Sequence, residues 1–435
     1  MNSEGPQASS TLNWINRPAA FRVLVWCFGV VLFVFALVPV LHSLRGHSIK
    51  DYIVWYNAGQ QVLTGGEIYP DQWRKFPFMY PPPCALFLAP ISALGKTGMI
   101  VALALVNAAA WICSILFSIR LATGERRHAH LLLYLIPSFV VGVYVWGNFL
   151  LGQPSLLLLA LMLGAFLSLQ RKRSILAGIL IAIAAAIKAF PVLAILYLVY
   201  RRHWMATAAL IFTLAFLLIA APIPFRGYAQ AKQDLQRWTS GMLFKYDETG
   251  VGQRTGRSHS WKNQSIWGVA NRLLRHVEYN PSYQPHTPVY ANFVDLKFTT
   301  VNAIILAAAF LLGGVFMAVM PASSQRTPET DALEFALLLL LILIFTPLSF
   351  GYLYAWLLYP LTVIVRRLQL APAGGRGLLA WTLAAIALLS LSIPLRIPAQ
   401  TYGNTLVATL LLFAGLAIEL FRTKASGTQR PLRVT

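Results

Sequence analysis

The chain has 435 residues, of which 57% are hydrophobic and 11% charged, with a formal net charge of +21. No water-soluble fold of this length hides so much apolar surface, so the composition excludes a soluble domain and points to an all-α polytopic membrane protein. The cations are spread over loops beside apolar runs and build no nucleic-acid module, so the expected partners are membrane lipids and lipid-linked phosphate, not nucleic acid.

A bilayer core about 30 Å thick takes about 20 apolar residues as a helix. By that measure spans are predicted near 21–43, 97–120, 130–147, 154–170, 205–223, 298–320, 378–395 and 403–421. The first run is too long for a signal-peptide core, lacks a clear small-residue cleavage site and is expected to be retained. Stretch 174–200 lies between Arg171-Lys172-Arg173 and Arg201-Arg202, and Lys188 and Pro191 divide it. Cations in short loops favour the cytoplasm, so this stretch reads as two short helices meeting near the outer side. Stretch 332–365, interrupted by Pro347, Gly351 and Tyr352 and followed by Arg366-Arg367, reads the same way. The sum is about twelve crossings in a single domain, 1–435. Arg120, Arg126, Arg127, Arg326, Arg376, Arg422, Lys424, Arg430 and Arg433 then fall on the cytoplasmic side with both termini. The polar chemistry is left to two external segments, 44–95 and 224–297.

In the first segment, Tyr52, Ile53, Tyr56, Ala58, Val62 and Leu63 recur at roughly helical spacing, which predicts an amphipathic surface helix ended by Gly65-Gly66. Tyr80-Pro81-Pro82-Pro83 reads as a stiff extended break, and Cys84 to Leu94 as an apolar helix too short to span. Nearly all of the 14 Asp and Glu residues read as loop acids. Asp51 lies at the membrane–water boundary just past the first span, where a lipid headgroup presents itself, and is the candidate catalytic carboxylate. Glu67 and Asp71 lie further from the membrane exit.

Lys188 is an ionisable residue at a helix break inside an apolar stretch, a position that is costly unless paired, and a lipid phosphate is its expected partner. Gln153, in Gly152-Gln153-Pro154, opens a span on the same side. The second segment holds Arg226, Arg254 and other cations, with Lys262, Asn263 and Gln264 in Ser260-Trp261-Lys262-Asn263-Gln264-Ser265-Ile266-Trp267. Amides and cations of this kind bind sugar hydroxyls and phosphates. Asn263-Gln264-Ser265 also matches the N-glycosylation pattern, a weak signal. Cys27, Cys84 and Cys113 make no disulfide framework or zinc spacing, no metal-ligand cluster is legible, and no cofactor is expected.

Asp51-Tyr52 with Tyr56-Asn57-Ala58, Gly65-Gly66-Glu67-Ile68-Tyr69, Tyr80-Pro81-Pro82 with Pro90, Gly152-Gln153, Ala177-Gly178 with Lys188 and Pro191, and Asn263-Gln264-Ser265 stand in an order that resembles glycosyltransferase family 87. These are the polyprenol-phosphate-mannose-dependent mannosyltransferases of the GT-C superfamily. The resemblance implies a GT-C fold in a bacterial inner membrane, with inverting transfer of a sugar, mannose first, from a polyprenyl phosphate to a lipid or glycan acceptor. It puts Asp51 in the place of the family's external-loop catalytic acid and adds Tyr56 and Tyr80 to the substrate-binding set. The chain departs from the family's Ser-Pro-x-Ser-Trp and following His pair: Thr346-Pro347-Leu348-Ser349-Phe350-Gly351-Tyr352-Leu353-Tyr354 contains no His. The competing class is a transporter or flippase for a lipid-linked or anionic solute; inverted repeats would favour it, and none is legible.

Overall fold

The computed structural model describes residues 18–47, 50–70, 77–124, 130–251, 257–282, 285–370 and 375–428. Asp71, Arg126, Arg127, Arg254, Arg430 and Arg433 lie outside the described residues. In chain order the helices are α1 (Pro18–Leu44), α2 (Lys50–Leu63), α3 (Pro82–Ser92), α4 (Gly95–Thr123), α5 (Leu132–Leu151), α6 (Ser155–Gln170), α7 (Ser174–Ile187), α8 (Ala194–Tyr200), α9 (Trp204–Ala215), α10 (Ile223–Arg226), α11 (Tyr228–Trp238) and α12 (Ile266–Leu274). There follow α13 (Phe298–Val319), α14 (Pro328–Phe345), α15 (Leu358–Leu370), α16 (Arg376–Ser390), α17 (Arg396–Thr401) and α18 (Asn404–Thr428). The protein is an all-α polytopic membrane protein; its only strand pairing among the described residues is a two-residue ladder of Tyr246 with Val251 and Asp247 with Gly250.

Among the described residues six helical runs are long and apolar enough to cross a bilayer, including Trp204–Arg226, in which a π-helical turn joins α9 to α10. Apolar residues all round a helix mean burial in protein or lipid, and the bundle uses both. α1 turns Trp26, Phe33 and most of its apolar side chains outward, whereas nearly every residue of α6 is buried. Phe166 of α6 stacks on Phe335 of α14 with ring centroids 4.3 Å apart. α7 meets α9 at Gly178, where a Cβ would come within 2.2 Å of the Ala206 carbonyl oxygen, so this close helix crossing depends on the missing side chain.

The two interrupted stretches run out and back as expected. α7 starts beside α9 and ends at Lys188, whose backbone is extended (φ −150°, ψ 125°). Pro191 has no N–H for the Ile187 carbonyl and its ring disfavours continuation; the chain passes through the 3₁₀ turn Phe190–Leu193 into α8. At the end of α8, Arg201 donates to the Pro321 carbonyl and pairs with Glu334. α14 likewise ends before Pro347, and the return through the 3₁₀ segment Gly351–Leu357 and α15 brings Arg367 to Glu329, Glu419 and Thr423. Thr123, Pro321, Thr423 and Lys424 line one cavity at this same end of the bundle, and Arg201 and Arg367 bond to Pro321 and Thr423 there, so these short-loop cations gather at the Thr123 end of α4, whose other end meets Ser43 of α1.

Three expectations are corrected. Among the described residues the acids are not mainly in loops: Asp51 starts α2, Asp234 lies in α11, Glu329, Asp331 and Glu334 lie in α14 and Glu419 in α18. Glu334 is wholly buried and accepts from Arg201 and from the Tyr197 hydroxyl at 2.9 Å, and this pairing makes an acid tolerable in an apolar helix. The buried face of α2 is Tyr52, Trp55, Ala58, Gly59 and Val62, while Ile53 and Leu63 are exposed; the spacing of three and four selects Trp55 in place of Ile53. Of the three prolines only Pro81 is extended (φ −56°, ψ 152°), and Pro82 opens α3, where its missing N–H costs no helical bond.

Candidate active site

Asp51 stands in the first turn of α2, half-buried, and its Oδ2 accepts a 2.8 Å hydrogen bond from Nε2 of Gln153. Gln153 is placed by the turn that ends α5. Gly152 there has φ +69°, and a Cβ on it would lie 2.7 Å from the Tyr52 ring, so both conformation and clearance require glycine. The Gln153 N–H then caps α5 at the Asn148 carbonyl, 3.0 Å away. Tyr52 secures α2 against the same turn by donating to the Phe149 carbonyl at 2.8 Å.

The other end of the Gln153 amide leads to the first loop. Its Oε1 accepts from the Tyr80 hydroxyl at 3.2 Å. Tyr80 is half-buried, packs on Trp55 with ring centroids 4.2 Å apart, and accepts at its own carbonyl from the Tyr69 hydroxyl. Burial, with Tyr352 and Asp51 adding to it, pushes the Tyr80 phenol well above the ordinary tyrosine range, so it stays protonated and donates.

Lys188 reaches the same cluster from α7. Its Nζ lies 5.5 Å from the Tyr80 ring centroid, 5.8 Å from Phe190 and 5.1 Å from Tyr352, within the range of cation–π attraction. Tyr352 is presented by the break after α14, where its carbonyl accepts from Nδ2 of Asn148 at 2.8 Å. Asp51, Gln153, Tyr80 and Lys188 therefore share one site although they lie in four separate sequence segments.

The remaining candidates lie elsewhere. Tyr56 is half-buried one turn along α2, with Lys96 Nζ 5.8 Å from its ring. Arg226 donates to Asp234 Oδ2 at 2.9 Å, to the Gln61 carbonyl at 3.1 Å and to the Gly66 carbonyl at 2.8 Å. A buried guanidinium engaged in this way clamps α11 to the end of α2. Asn263 is also structural. Its Nδ2 donates to the Ser258 and Pro347 carbonyls, and its Oδ1 accepts from the N–H groups of Ser265 and Ser349. Gln264 donates to the Trp261 and Gln400 carbonyls. Both amides are buried and hold the second segment onto Pro347, Ser349 and Gln400. Lys262 is exposed, with its Nζ 5.2 Å from the Trp261 ring.

Reading the sequence alone passed over Trp55, Phe190 and Tyr352 as site residues. All three are aromatic residues next to a candidate polar residue or at a helix break, and that placement is the signal that pointed to them. Arg272 was also counted only as a loop cation. It is fully buried, and its guanidinium donates to the carbonyls of Thr401, Ser260, Asn263 and Gln400 at 2.6–3.1 Å. Burial pulls it down to about 9.

The arrangement brings a carboxylate, an amide, a phenol and an ammonium to one end of a membrane bundle, beside aromatic faces. The model of glycosyltransferase family 87 matches residues 78–347, a stretch that includes Tyr80, Gln153 and Lys188 and begins after Asp51. Comparison with curated proteins and with solved structures gave no match. With well over half of its length matched, this multi-pass membrane protein belongs to glycosyltransferase family 87.

Proposed function

We propose that the protein transfers a hexosyl group, mannose first, from a polyprenyl phosphate to a hydroxyl of a lipid or glycan acceptor, with inversion, and that Asp51 is the general base. The observation that carries this reading is the meeting of Asp51 and Lys188 around Gln153 and Tyr80. As the acceptor oxygen bonds to the anomeric carbon, its O–H bond breaks and the proton passes to Asp51. The bond from the anomeric carbon to the phosphate oxygen breaks, and its electron pair leaves on the lipid phosphate. That leaving group is already anionic, so it needs a cation and no general acid. Lys188 supplies the cation, and the three rings around it keep water away and strengthen its attraction for phosphate. The faces of Tyr80 and Tyr352 suit a sugar ring or the first prenyl units. The short-loop cations at the opposite end favour the cytoplasm, so the site faces outward across a bacterial inner membrane.

The test is incubation of purified protein with a panel of radiolabelled polyprenyl-phosphate sugars and extracted membrane lipids. Transfer from the mannosyl lipid is expected. Transfer from sugar nucleotides alone, with every lipid-linked donor inert, overturns the donor class.

A further inference from the structure

We infer that the Gln153 amide and the Tyr80 hydroxyl are positioning groups for Asp51 and not substrate-binding groups: the Tyr80 hydroxyl steadies the Gln153 amide, and the amide holds one carboxylate oxygen while the other faces the acceptor. The inference rests on the reading of Asp51 as the base. It follows from donor and acceptor accounting. A primary amide has one acceptor oxygen and two N–H donors. Gln153 Oε1 takes the Tyr80 hydroxyl at 3.2 Å, so the amide presents Nε2 to Asp51, where it donates to Oδ2 at 2.8 Å. Rotated by half a turn, the amide would set its oxygen against the carboxylate, so the acceptor-only carboxylate selects the orientation and the phenol, by donating to Oε1, reinforces it. Oδ1 has no hydrogen-bond partner among the described residues and is the oxygen left to take the acceptor proton. Gln153 is 3% exposed, too enclosed by Gly152, Tyr52 and Tyr80 to serve as an open sugar contact.

Other titratable groups adjoin this relay. Lys188 and Tyr352 stand beside Tyr80, and Cys84 lies close enough to feel both Lys188 and Tyr80.

The experiment is a double-mutant cycle with Tyr80→Phe and Gln153→Ala, using polyprenyl-phosphate mannose as donor and extracted membrane lipid as acceptor. Tyr80→Phe keeps the ring beside Lys188 and Trp55 and removes only the hydroxyl. Each single variant is expected to lower kcat about 10-fold, a fraction of the roughly 10²–10⁴-fold carried by a general base, with donor KM within about twofold of wild type. Loss of a hydrogen bond to the charged form raises the carboxyl pKa, so the acid limb of kcat/KM moves to higher pH in both variants. The double variant is expected to be no worse than Gln153→Ala, because the phenol acts through the amide. Losses that add, or a donor KM that rises with an unmoved acid limb, overturn the relay and make these residues substrate contacts. Thermal unfolding of each variant separates a folding defect from either result. Full activity in Asp51→Asn is the separate outcome that removes the base reading and the relay with it.

Discussion

Gln153 and Asp51 stand 102 positions apart in the chain, and Nε2 of one donates to Oδ2 of the other at 2.8 Å. Because the N–H is a donor, the contact suits a carboxylate and is lost in part when the carboxylate becomes an amide. Asp51→Asn keeps the shape and removes the proton acceptor. Its kcat is expected to fall by about 10²–10⁴-fold, the usual worth of general-base catalysis, while donor binding persists. Steady-state transfer and direct binding of the labelled donor lipid measure the two effects. Near-wild-type transfer by Asp51→Asn, or abolition by Glu67→Gln alone, assigns the base elsewhere.

Lys188 is expected to act on the donor. Lys188→Ala should raise the donor KM strongly, and Lys188→Arg should keep part of the function because the charge persists within the ring of Tyr80, Phe190 and Tyr352. Donor binding unchanged in Lys188→Ala would leave Lys188 as a cation that only reaches toward the interface.

Arg272 is expected to matter for stability and not directly for chemistry. Four carbonyls, of Ser260, Asn263, Gln400 and Thr401, share its guanidinium. Arg272→Met fills the volume and leaves buried carbonyls unpaired, at a cost on the order of 3 kcal/mol. The thermal midpoint in detergent should drop, with early proteolysis in 257–275. An unchanged midpoint would mean that the second segment holds to 400–401 without this clamp.

His259 gives the second segment a pH response. Burial, reinforced by the nearby Arg275 guanidinium, lowers this imidazole from 6.5 to about 4. Between those values the unfolded chain binds the proton and the folded one does not, so stability is complete above about pH 6.5 and declines as pH falls toward 4. His259→Gln is expected to flatten the loss of melting temperature across that window. Equal slopes in both proteins would place the acid sensitivity in other groups.

The fold was legible because its determinants are local. Long apolar runs, Pro191 and Pro347 at the breaks, and arginines in the short turns mark the helices and their returns from position alone. The face of α2 is set by the spacing of three and four from Tyr52 through Trp55 to Val62, which leaves Ile53 outside, and the Trp55 ring packs on Tyr80.

Site chemistry divides along the same line. Asp51, Gln153 and Lys188 stood out individually among nine candidates, as polar residues at membrane boundaries and helix breaks, and Tyr80 came with the family resemblance; that these four meet is visible only in the tertiary structure. Which cations and amides are bonded within the bundle was decided only by tertiary structure. Arg226 and Lys262 are both cations in one external segment, yet Arg226 is used by Asp234, Gln61 and Gly66 while Lys262 stays exposed. The buried amides of Asn263 and Gln264 are likewise engaged by Ser258, Pro347, Trp261 and Gln400. The physical reason is that buried hydrogen-bonding groups must find partners, and those partners come from distant segments, so availability is a property of the assembled bundle and not of the local sequence.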